Sequence, residues 1–194
     1  YALFTPLFRN HSANGTRMQE LYRFDTLHAA GEMVKIRYCL IPYLYSEFLK
    51  AALRDDMMFK PLGFDFPADH MAKETEDQLL IGDELMIAPV YKQNARGRYV
   101  YLPEEMMLVR MQTWDQIHTE ILPKGHHYVD IALEELVFFI RQQKAIPFGR
   151  PARNTDCIDQ SALQLLGYPG CTYELYADNG ISPEPETSLS ITTL

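Results

Sequence analysis

The sequence predicts a mainly β protein with an N-terminal helical segment, an α+β fold class, and three patterns carry this prediction. Apolar residues between Met33 and Phe48 recur at helical spacing over about four turns. Residues 59–149 contain short apolar segments separated by Gly, Pro and Asn breaks, which is the spacing of a β-sandwich. Thr172–Tyr176 and residues 188–194 alternate with the period of two that is typical of strands.

Residues 1–56 form the first predicted region, a strand, a loop and a helix. The apolar run Leu3–Phe8 predicts a short strand, which Pro6 should make irregular or edge-like. The turn signal at residues 14–15 marks the loop. Pro42 should kink the helix that follows or divide it in two. This order is that of one strand-helix unit of a barrel enzyme, whose other strands are missing from the sequence.

Arg9 and His11 are the candidate site residues of this region, because both directly follow the predicted strand. Barrel enzymes present functional side chains at the C-terminal ends of their strands. From spacing alone, His11 either contacts a ligand or is hydrogen-bonded inside its own loop. A planar guanidinium commonly binds a carboxylate or a carbonyl, so Arg9 is predicted to pair with a nearby acid and support the site.

The rest of the chain is predicted to be β structure in two domains, a proximal β-sandwich at residues 57–150 and the start of a distal one at 151–194, with the linker at 154–160. Turns or loops are expected at residues 178–180 and 182–186. The predicted strands are Gln78–Gly82, Leu85–Val90, Arg98–Leu102, Met107–Met111, Leu136–Ile140, Leu163–Tyr168 and Thr172–Tyr176, with a last one at 188–194.

Composition and net charge limit the classes of molecule that this chain is expected to bind. The 194 residues are enough to bury a core, and the apolar and charged fractions of 47% and 23% are those of a globular protein. The net charge of -8 argues against a nucleic-acid or membrane partner, since both select basic surfaces. Apolar runs also fall short of the ~20 residues of a membrane span.

The three cysteines, Cys39, Cys157 and Cys171, are odd in number and contain no CxxC spacing. We therefore expect buried thiols and a reducing, cytoplasmic compartment. The chain starts at Tyr1 without a signal-peptide pattern and ends abruptly at Leu194. These ends predict a piece of a longer protein, and a signal peptide on that parent stays open.

The sequence shows no catalytic machinery of its own. His126 and His127 are adjacent, so in a strand they would point to opposite faces and could not chelate one metal ion. Metal, nucleotide and nucleophile-elbow motifs are absent, and the acidic residues mostly stand in runs typical of solvated faces. We accordingly predict no catalytic residue, no metal and no cofactor within these residues.

Seven stretches match known motifs in order: Leu3–His11 ("AFxPFxRNH"), Arg37–Tyr45 ("RYxLLPYLY"), Lys60–Asp69 ("RPLxxxFPxD"), Gln78–Val90 ("QFLxGxxLLVAPV"), Val100–Pro103 ("VYLP"), Val137–Pro147 ("VFVRxGxIIP") and Tyr173–Gly180 ("LYxDDG"). Any single match is weak, but together they cover nearly the whole chain. With these motifs the sequence resembles glycoside hydrolase family 31, the α-glucosidases and α-xylosidases, and in particular the α-glucosidases of gut Firmicutes.

The resemblance implies a catalytic (β/α)₈ barrel followed by two β-sandwich domains, of which this chain holds the C-terminal part. It implies that His11, the histidine of "RNH", lines the subsite for the cleaved sugar and that Arg9 is its structural neighbour. The family's aspartate nucleophile and aspartate acid lie on earlier strands, outside this sequence. The implied reaction is retaining hydrolysis through a covalent glycosyl-enzyme, without a cofactor.

The sequence departs from the family at several positions. Met106–Met111 replaces a Gly-x-Trp-Tyr-Asp segment, which puts sugar contacts from that segment in doubt. Lys60 replaces the Arg of "RPL", and Asn179 replaces an acid of "DDG". Residues 142–143, both Gln, stand where "RxG" has its Gly. These positions are expected to be structural.

Two hypotheses about function follow. The first is the C-terminal part of a retaining α-glucosidase-like enzyme that acts on oligosaccharides. The second is a free-standing β-sandwich module for carbohydrate binding or scaffolding. The apolar helix at residues 37–53 favours the first, because in the parent it would pack on the upstream catalytic barrel. Without that partner, the helix is expected to drive self-association of the chain.

Overall fold

The computed structural model describes residues 2–7, 9, 11–24, 26–176 and 189–192, with only the backbone of Ala2 and of 189–192. The described helices are α1 (Leu27–Arg54), α2 (Leu62–Asp65) and α3 (His70–Glu74). The described strands are β1 (Phe59–Pro61), β2 (Leu79–Ile81), β3 (Leu85–Ile87), β4 (Gly97–Leu102), β5 (Met106–Met111), β6 (Ile117–Leu122), β7 (Gly125–Asp130), β8 (Leu136–Arg141), β9 (Ala145–Phe148), β10 (Gln164–Gly167), β11 (Thr172–Leu175) and β12 (Leu189–Thr192). The predicted class, mainly β with an N-terminal helix, is confirmed.

A six-stranded antiparallel sheet forms the centre of the fold, in the order β1-β2-β3-β8-β5-β6. Its two faces belong to two separate apolar clusters. Phe138 and Ile140 of β8 join α1 residues such as Tyr43 in one cluster, whereas Phe139 joins Val100 of β4 in the other. Because both faces are covered, β3, β5 and β8 are apolar almost without alternation.

The β4–β7 pair covers one face of this sheet, and α1 covers the other. Helix α1 buries a stripe at helical spacing and ends at Asp55, which takes the left-handed conformation that closes many helices. The buried stripe consists of Ile36, Cys39, Leu40, Tyr43 and Leu44. No helix of the described residues is long and apolar enough to cross a membrane.

Pro42 lies inside α1 and does not divide it, so the prediction of two helices was wrong. A proline costs the helix a hydrogen bond and a steric clash, about 3 kcal/mol. Buried contacts on both sides of Pro42 offset that cost. In addition, the Gly149 amide donates to the Cys39 carbonyl of the same helical stretch, at 2.9 Å.

The predicted strand over residues 3–8 is not formed in the described residues, where Ala2–Phe4 is a 3₁₀ turn. No described strand lies beside this segment, and its carbonyls bind a guanidinium instead, as described below. Phe8 lies outside the described residues. Leu3 and Phe4 are nevertheless buried, with the Phe4 ring edge-on to that of Phe138 at 5.7 Å.

The other predicted strands are present with shifted ends. Strands β4, β5 and β8 are each one residue longer than predicted, whereas β2, β3, β10 and β11 are shorter, by up to three residues at one end. The pattern missed four strands, β1, β6, β7 and β9. Strands β6 and β7 are mostly exposed and polar, so only their pairing with β5 and β4 makes them strands. The predicted linker at 154–160 contains the 3₁₀ turn Thr155–Cys157 and the first residue of another, Gln160–Ala162. The turns predicted at 178–180 and 182–186 lie outside the described residues, and the domain boundaries stay predictions.

The expectation of buried thiols holds for Cys39 and was wrong for Cys157. Cys39 is fully buried in the α1 stripe, and burial raises the pKa of its thiol to about 12. Cys157 is exposed in a 3₁₀ turn, and Cys171 is partly buried.

Candidate functional site around His11

Both candidate site residues are exposed and in contact with each other. Arg9 Nη2 lies 2.8 Å from His11 Nδ1, within hydrogen-bonding distance. The predicted pairing of Arg9 with an acid is therefore replaced, in the described residues, by a pairing with His11. In the sequence, these two residues are linked only by their neighbouring positions. The structure shows that their side chains are in contact.

The direction of this hydrogen bond determines where the imidazole carries its proton. A guanidinium has donors and no acceptor, so His11 Nδ1 must be the acceptor. The ring proton then resides on Nε2. An exposed Nε2–H is a donor directed at whatever lies beside His11, and a sugar hydroxyl is a matching acceptor.

Arg37 of α1 holds the segment that leads to this pair. Its Nη1 donates to the carbonyls of Leu3 and Thr5, each at 2.8 Å, and its Nη2 donates to Pro6 at 3.1 Å. These three contacts use the fork geometry that is specific to arginine. Partial burial lowers the pKa of the Arg37 guanidinium.

Arg37 begins the "RYxLLPYLY" match, but the sequence alone indicated no role for its side chain. A signal was present, because an arginine within an apolar helix needs acceptors for several donors. The pattern could not name them, since they are backbone carbonyls more than thirty residues away.

The departures from the family that lie in the described residues occupy structural positions, whereas Asn179 lies outside those residues. Met106–Met111 is β5, which is buried at all but one residue within the central sheet. Lys60 is buried between two carboxylates, with its Nζ 2.7 Å from Asp83 and 3.1 Å from Asp65. Gln143 has a φ of 57°, the left-handed conformation that favours glycine. The family's Gly in "RxG" therefore fits this backbone better than the Gln that stands here.

A second group of ionisable side chains lies buried at the junction of α1, β11 and the β2–β3 turn. The Tyr173 hydroxyl donates to Glu47, and the Tyr43 hydroxyl donates to the Ile81 carbonyl and lies 3.4 Å from Glu84 Oε2. Burial, with Glu47 nearby, raises the pKa of Glu84 to about 7. Lys50 lies over the Tyr173 ring at 3.9 Å and pairs with Glu47 at 2.7 Å. These groups satisfy one another and attach β11 to α1.

The carboxylates of this junction do not form a glycosidase pair. Glu47 and Glu84 are 5% and 8% exposed, so a substrate has no access to them. Among the described residues, no group of three or more potential metal ligands is brought together. The exposed His11–Arg9 pair is thus the better candidate for substrate contact.

Two domain families match this chain. The TIM-barrel domain of glycosyl hydrolase family 31 matches residues 1–47, and the C-terminal domain of the same family matches residues 55–146. Alpha-glucosidase 2 of Bacillus thermoamyloliquefaciens is 32% identical over 184 residues, which are 91% of this chain and 22% of that protein. Alpha-glucosidase of Schizosaccharomyces pombe is 29% identical over 195 residues, 97% of this chain and 20% of its own length.

Solved structures show the same fold. The cycloalternan-forming enzyme from Listeria monocytogenes, in complex with a pentasaccharide substrate, has a TM-score of 0.78 at 20% identity, over 100% of this chain and 20% of that one. The α-xylosidase from Xanthomonas citri has a TM-score of 0.74 at 24% identity, over 92% of this chain and 20% of that one. The chain spans about a fifth of the length of these relatives.

Matches to two consecutive domains of one family, in the order of that family, agree with the collinear motifs from Leu3 to Gly180. The chain belongs to glycoside hydrolase family 31.

Proposed function

We propose that this chain is the C-terminal portion of a retaining α-glucosidase-like hydrolase. The whole enzyme would release α-linked sugars, glucose in particular, from the non-reducing ends of oligosaccharides. This chain would supply His11 as part of one wall of the sugar site, together with the accessory β domains. The catalytic carboxylates would lie upstream. The observation that carries the proposal is the exposed His11, which contacts Arg9 and follows a segment whose carbonyls bind Arg37.

In this proposal, His11 donates one hydrogen bond to a sugar hydroxyl. Retaining glycosidases pass through an oxocarbenium-like transition state, and hydrogen bonds to sugar hydroxyls strengthen there. Only contacts that are stronger in the transition state than in the ground state raise the rate. A donor on Nε2, with Nδ1 occupied by Arg9, can make such a contact without a change of protonation.

Exposed apolar side chains support an upstream barrel as the neighbour of residues 7–57. Large exposed apolar patches on soluble proteins usually mark a contact surface. Exposed large apolar side chains in this range are Leu7, Met18, Leu21, Tyr22, Phe24, Leu27, Tyr45, Phe48, Leu53 and Met57. In the absence of that neighbour, we expect the chain to self-associate through this surface.

The alternative is a free-standing module for carbohydrate binding or scaffolding. The covering of the central sheet on both faces favours it, because a core enclosed within one chain can fold on its own. The exposed apolar side chains of residues 7–57 argue against it. The reading frame upstream of Tyr1 decides between the two, since the enzyme requires barrel strands that carry two aspartates.

The activity assay uses an aryl α-glucoside with this chain alone and with the parent enzyme. We expect no turnover from the chain alone, because it lacks the catalytic acids. In the parent, His11→Ala should lower kcat/KM about 100-fold, the scale of one lost transition-state hydrogen bond. His118→Ala is the matched control, since His118 is an exposed histidine on β6. Turnover by the chain alone, or an unchanged kcat/KM for His11→Ala, would refute the proposal.

A further inference from the structure

Three exposed tyrosines line a cavity that contains no residue of the segment around His11. Tyr91, Tyr99 and Tyr128, which we call the tyrosine platform, are 67%, 72% and 57% exposed. They line a cavity of about 320 Å³ together with Asp77, Val90, Lys92, Ala95, Gly97 and Arg98. Exposed tyrosines are ordinary singly, but three on one cavity form a candidate binding surface.

Strand register holds two of these rings together. Tyr99 of β4 lies directly opposite Tyr128 of β7, and their ring centroids are 5.2 Å apart in an edge-to-face arrangement. Gly97 makes room for this pair, because a Cβ there would lie 2.9 Å from the Tyr128 ring and 2.5 Å from the Val129 carbonyl oxygen. The rings are therefore ordered before any ligand arrives.

Arg98 and Asp77 hold the third ring. The Tyr91 hydroxyl donates to Asp77 at 3.2 Å, and the Arg98 guanidinium lies 5.7 Å from the centroid of the Tyr91 ring. Arg98 in turn pairs with Asp77 at 2.6 Å and donates to the Pro89 carbonyl at 2.7 Å. The Asp77 side chain remains 41% exposed, which leaves a carboxylate at the rim of the cavity.

We propose that the tyrosine platform binds a neutral oligosaccharide at a site separate from His11. A sugar ring presents C–H groups on its faces, which match the negative faces of aromatic rings. Its hydroxyl groups on the edges match the Asp77 carboxylate and the Lys92 ammonium group. The cavity volume lies at the small end of ligand sites, which suits one or two sugar units.

Charge disfavours the other class of ligand that stacks on aromatic rings. Single-stranded nucleic acids also stack on aromatic side chains, but they bind in positively charged grooves. The net charge of the chain is -8, and Arg98 at this cavity is already paired with Asp77. The choice of an α-glucan as the ligand rests on the function proposed above. The geometry of the tyrosine platform is independent of that function.

The test measures the affinity of this chain for maltopentaose by isothermal titration calorimetry and by saturation-transfer NMR. We expect Tyr99→Ala and Tyr128→Ala each to weaken binding about tenfold, because each removes one stacking ring. Tyr99→Phe should retain binding, since the ring remains. Tyr22→Ala is the matched control, because Tyr22 is 64% exposed and lies outside the cavity. Circular dichroism verifies that each variant is folded.

The parent enzyme separates this inference from the proposed function. His11→Ala should lower its kcat/KM for an aryl α-glucoside, whereas Tyr99→Ala and Tyr128→Ala should leave that kcat/KM unchanged while they weaken maltopentaose binding. Loss of binding in His11→Ala, with binding intact in Tyr99→Ala and Tyr128→Ala, would overturn the inference and leave the proposed function standing. Absence of measurable binding at millimolar maltopentaose would overturn it as well. So would a change in self-association in the two tyrosine variants without a change in sugar binding, which would indicate a protein contact.

Discussion

Arg9 and His11 are joined by a 2.8 Å contact between Nη2 and Nδ1, and both side chains are exposed. The contact makes Arg9 more than a neighbour of the site, because a donor-only partner at Nδ1 selects the tautomer with the proton on Nε2. In the proposed function, the role of His11 as a donor to a sugar hydroxyl would therefore depend on a residue two positions earlier in the chain.

The tautomer of His11 is the first prediction. We expect the Nε2–H form in this chain, and a mixture of both tautomers in Arg9→Met, which keeps length but removes the donors. Two-dimensional ¹H–¹⁵N NMR of the imidazole nitrogens distinguishes the two forms. The resonances of His118, on β6, should be the same in both proteins. A dominant Nδ1–H form in the unchanged chain would contradict the assignment.

Arg37 is predicted to stabilise the segment that carries His11. Arg37→Met should lower the free energy of unfolding by about 3 kcal/mol, because three carbonyls lose a charged donor. Urea unfolding measures this change. Lys35→Met on the same helix is the control, since Lys35 is exposed and pairs only locally with Glu32. In the parent enzyme, Arg37→Met should also lower kcat/KM; equal stability of both variants would show that the contacts contribute little.

Gln143 offers a stabilising substitution. Gln143→Gly should raise the free energy of unfolding by about 1 kcal/mol, because it relieves a left-handed conformation at φ 57° that costs a residue with a Cβ about that much. Gln142→Gly is the matched control, because Gln142 is the adjacent exposed glutamine and has no positive φ. That variant should be destabilised. Thermal unfolding of the two variants gives the comparison, and a lower midpoint for Gln143→Gly would refute the argument.

Because Glu84 is buried, we predict that the free energy of unfolding of this chain depends on pH. Burial and the neighbouring Glu47 raise the pKa of Glu84 from 4.5 to about 7 in the folded chain, while Lys50 and Lys144 oppose this and Asp83 adds to it. The folded state therefore binds the proton more tightly than the unfolded state. Its stabilising effect is complete below pH 4.5 and is lost as the pH rises through about 7.

Urea unfolding between pH 4 and 8 tests this dependence. Glu84→Gln should flatten the profile, with a difference on the order of 3 kcal/mol across the range at most. Glu134→Gln, at an exposed position, should leave the profile unchanged. A profile of the same slope in Glu84→Gln would show that another group causes the dependence.

The apolar surface of α1 predicts self-association of the chain. Phe48 is 52% exposed on α1, so Phe48→Lys should shift the chain toward the monomer in sedimentation velocity. Phe64→Lys is the control, because Phe64 is 61% exposed on α2 and lies outside this surface. An equal effect of both variants would place the contact elsewhere.

Much of the fold was predictable from local pattern. Helix α1 was predicted because burial on one side leaves a helical repeat in the sequence. Strands β3, β5 and β8 were predicted because burial on both faces leaves apolar runs. Strands β6 and β7 were not, because exposed strands on the outside of a sheet carry polar residues. The division of α1 at Pro42, one of the two predicted outcomes, did not occur because tertiary contacts outweigh the local cost of the proline.

The candidate site was likewise predictable only in part. The sequence by itself determined the family, through collinear motifs, and selected His11 and Arg9 through their position after an apolar run. Only the tertiary structure decided that Arg37 holds this segment, that Gln143 is left-handed and that three tyrosines share one cavity. The physical reason is range: periodicity and composition record the burial of neighbouring residues. Contacts between residues far apart in the sequence leave no local pattern, and the folded backbone alone brings them together.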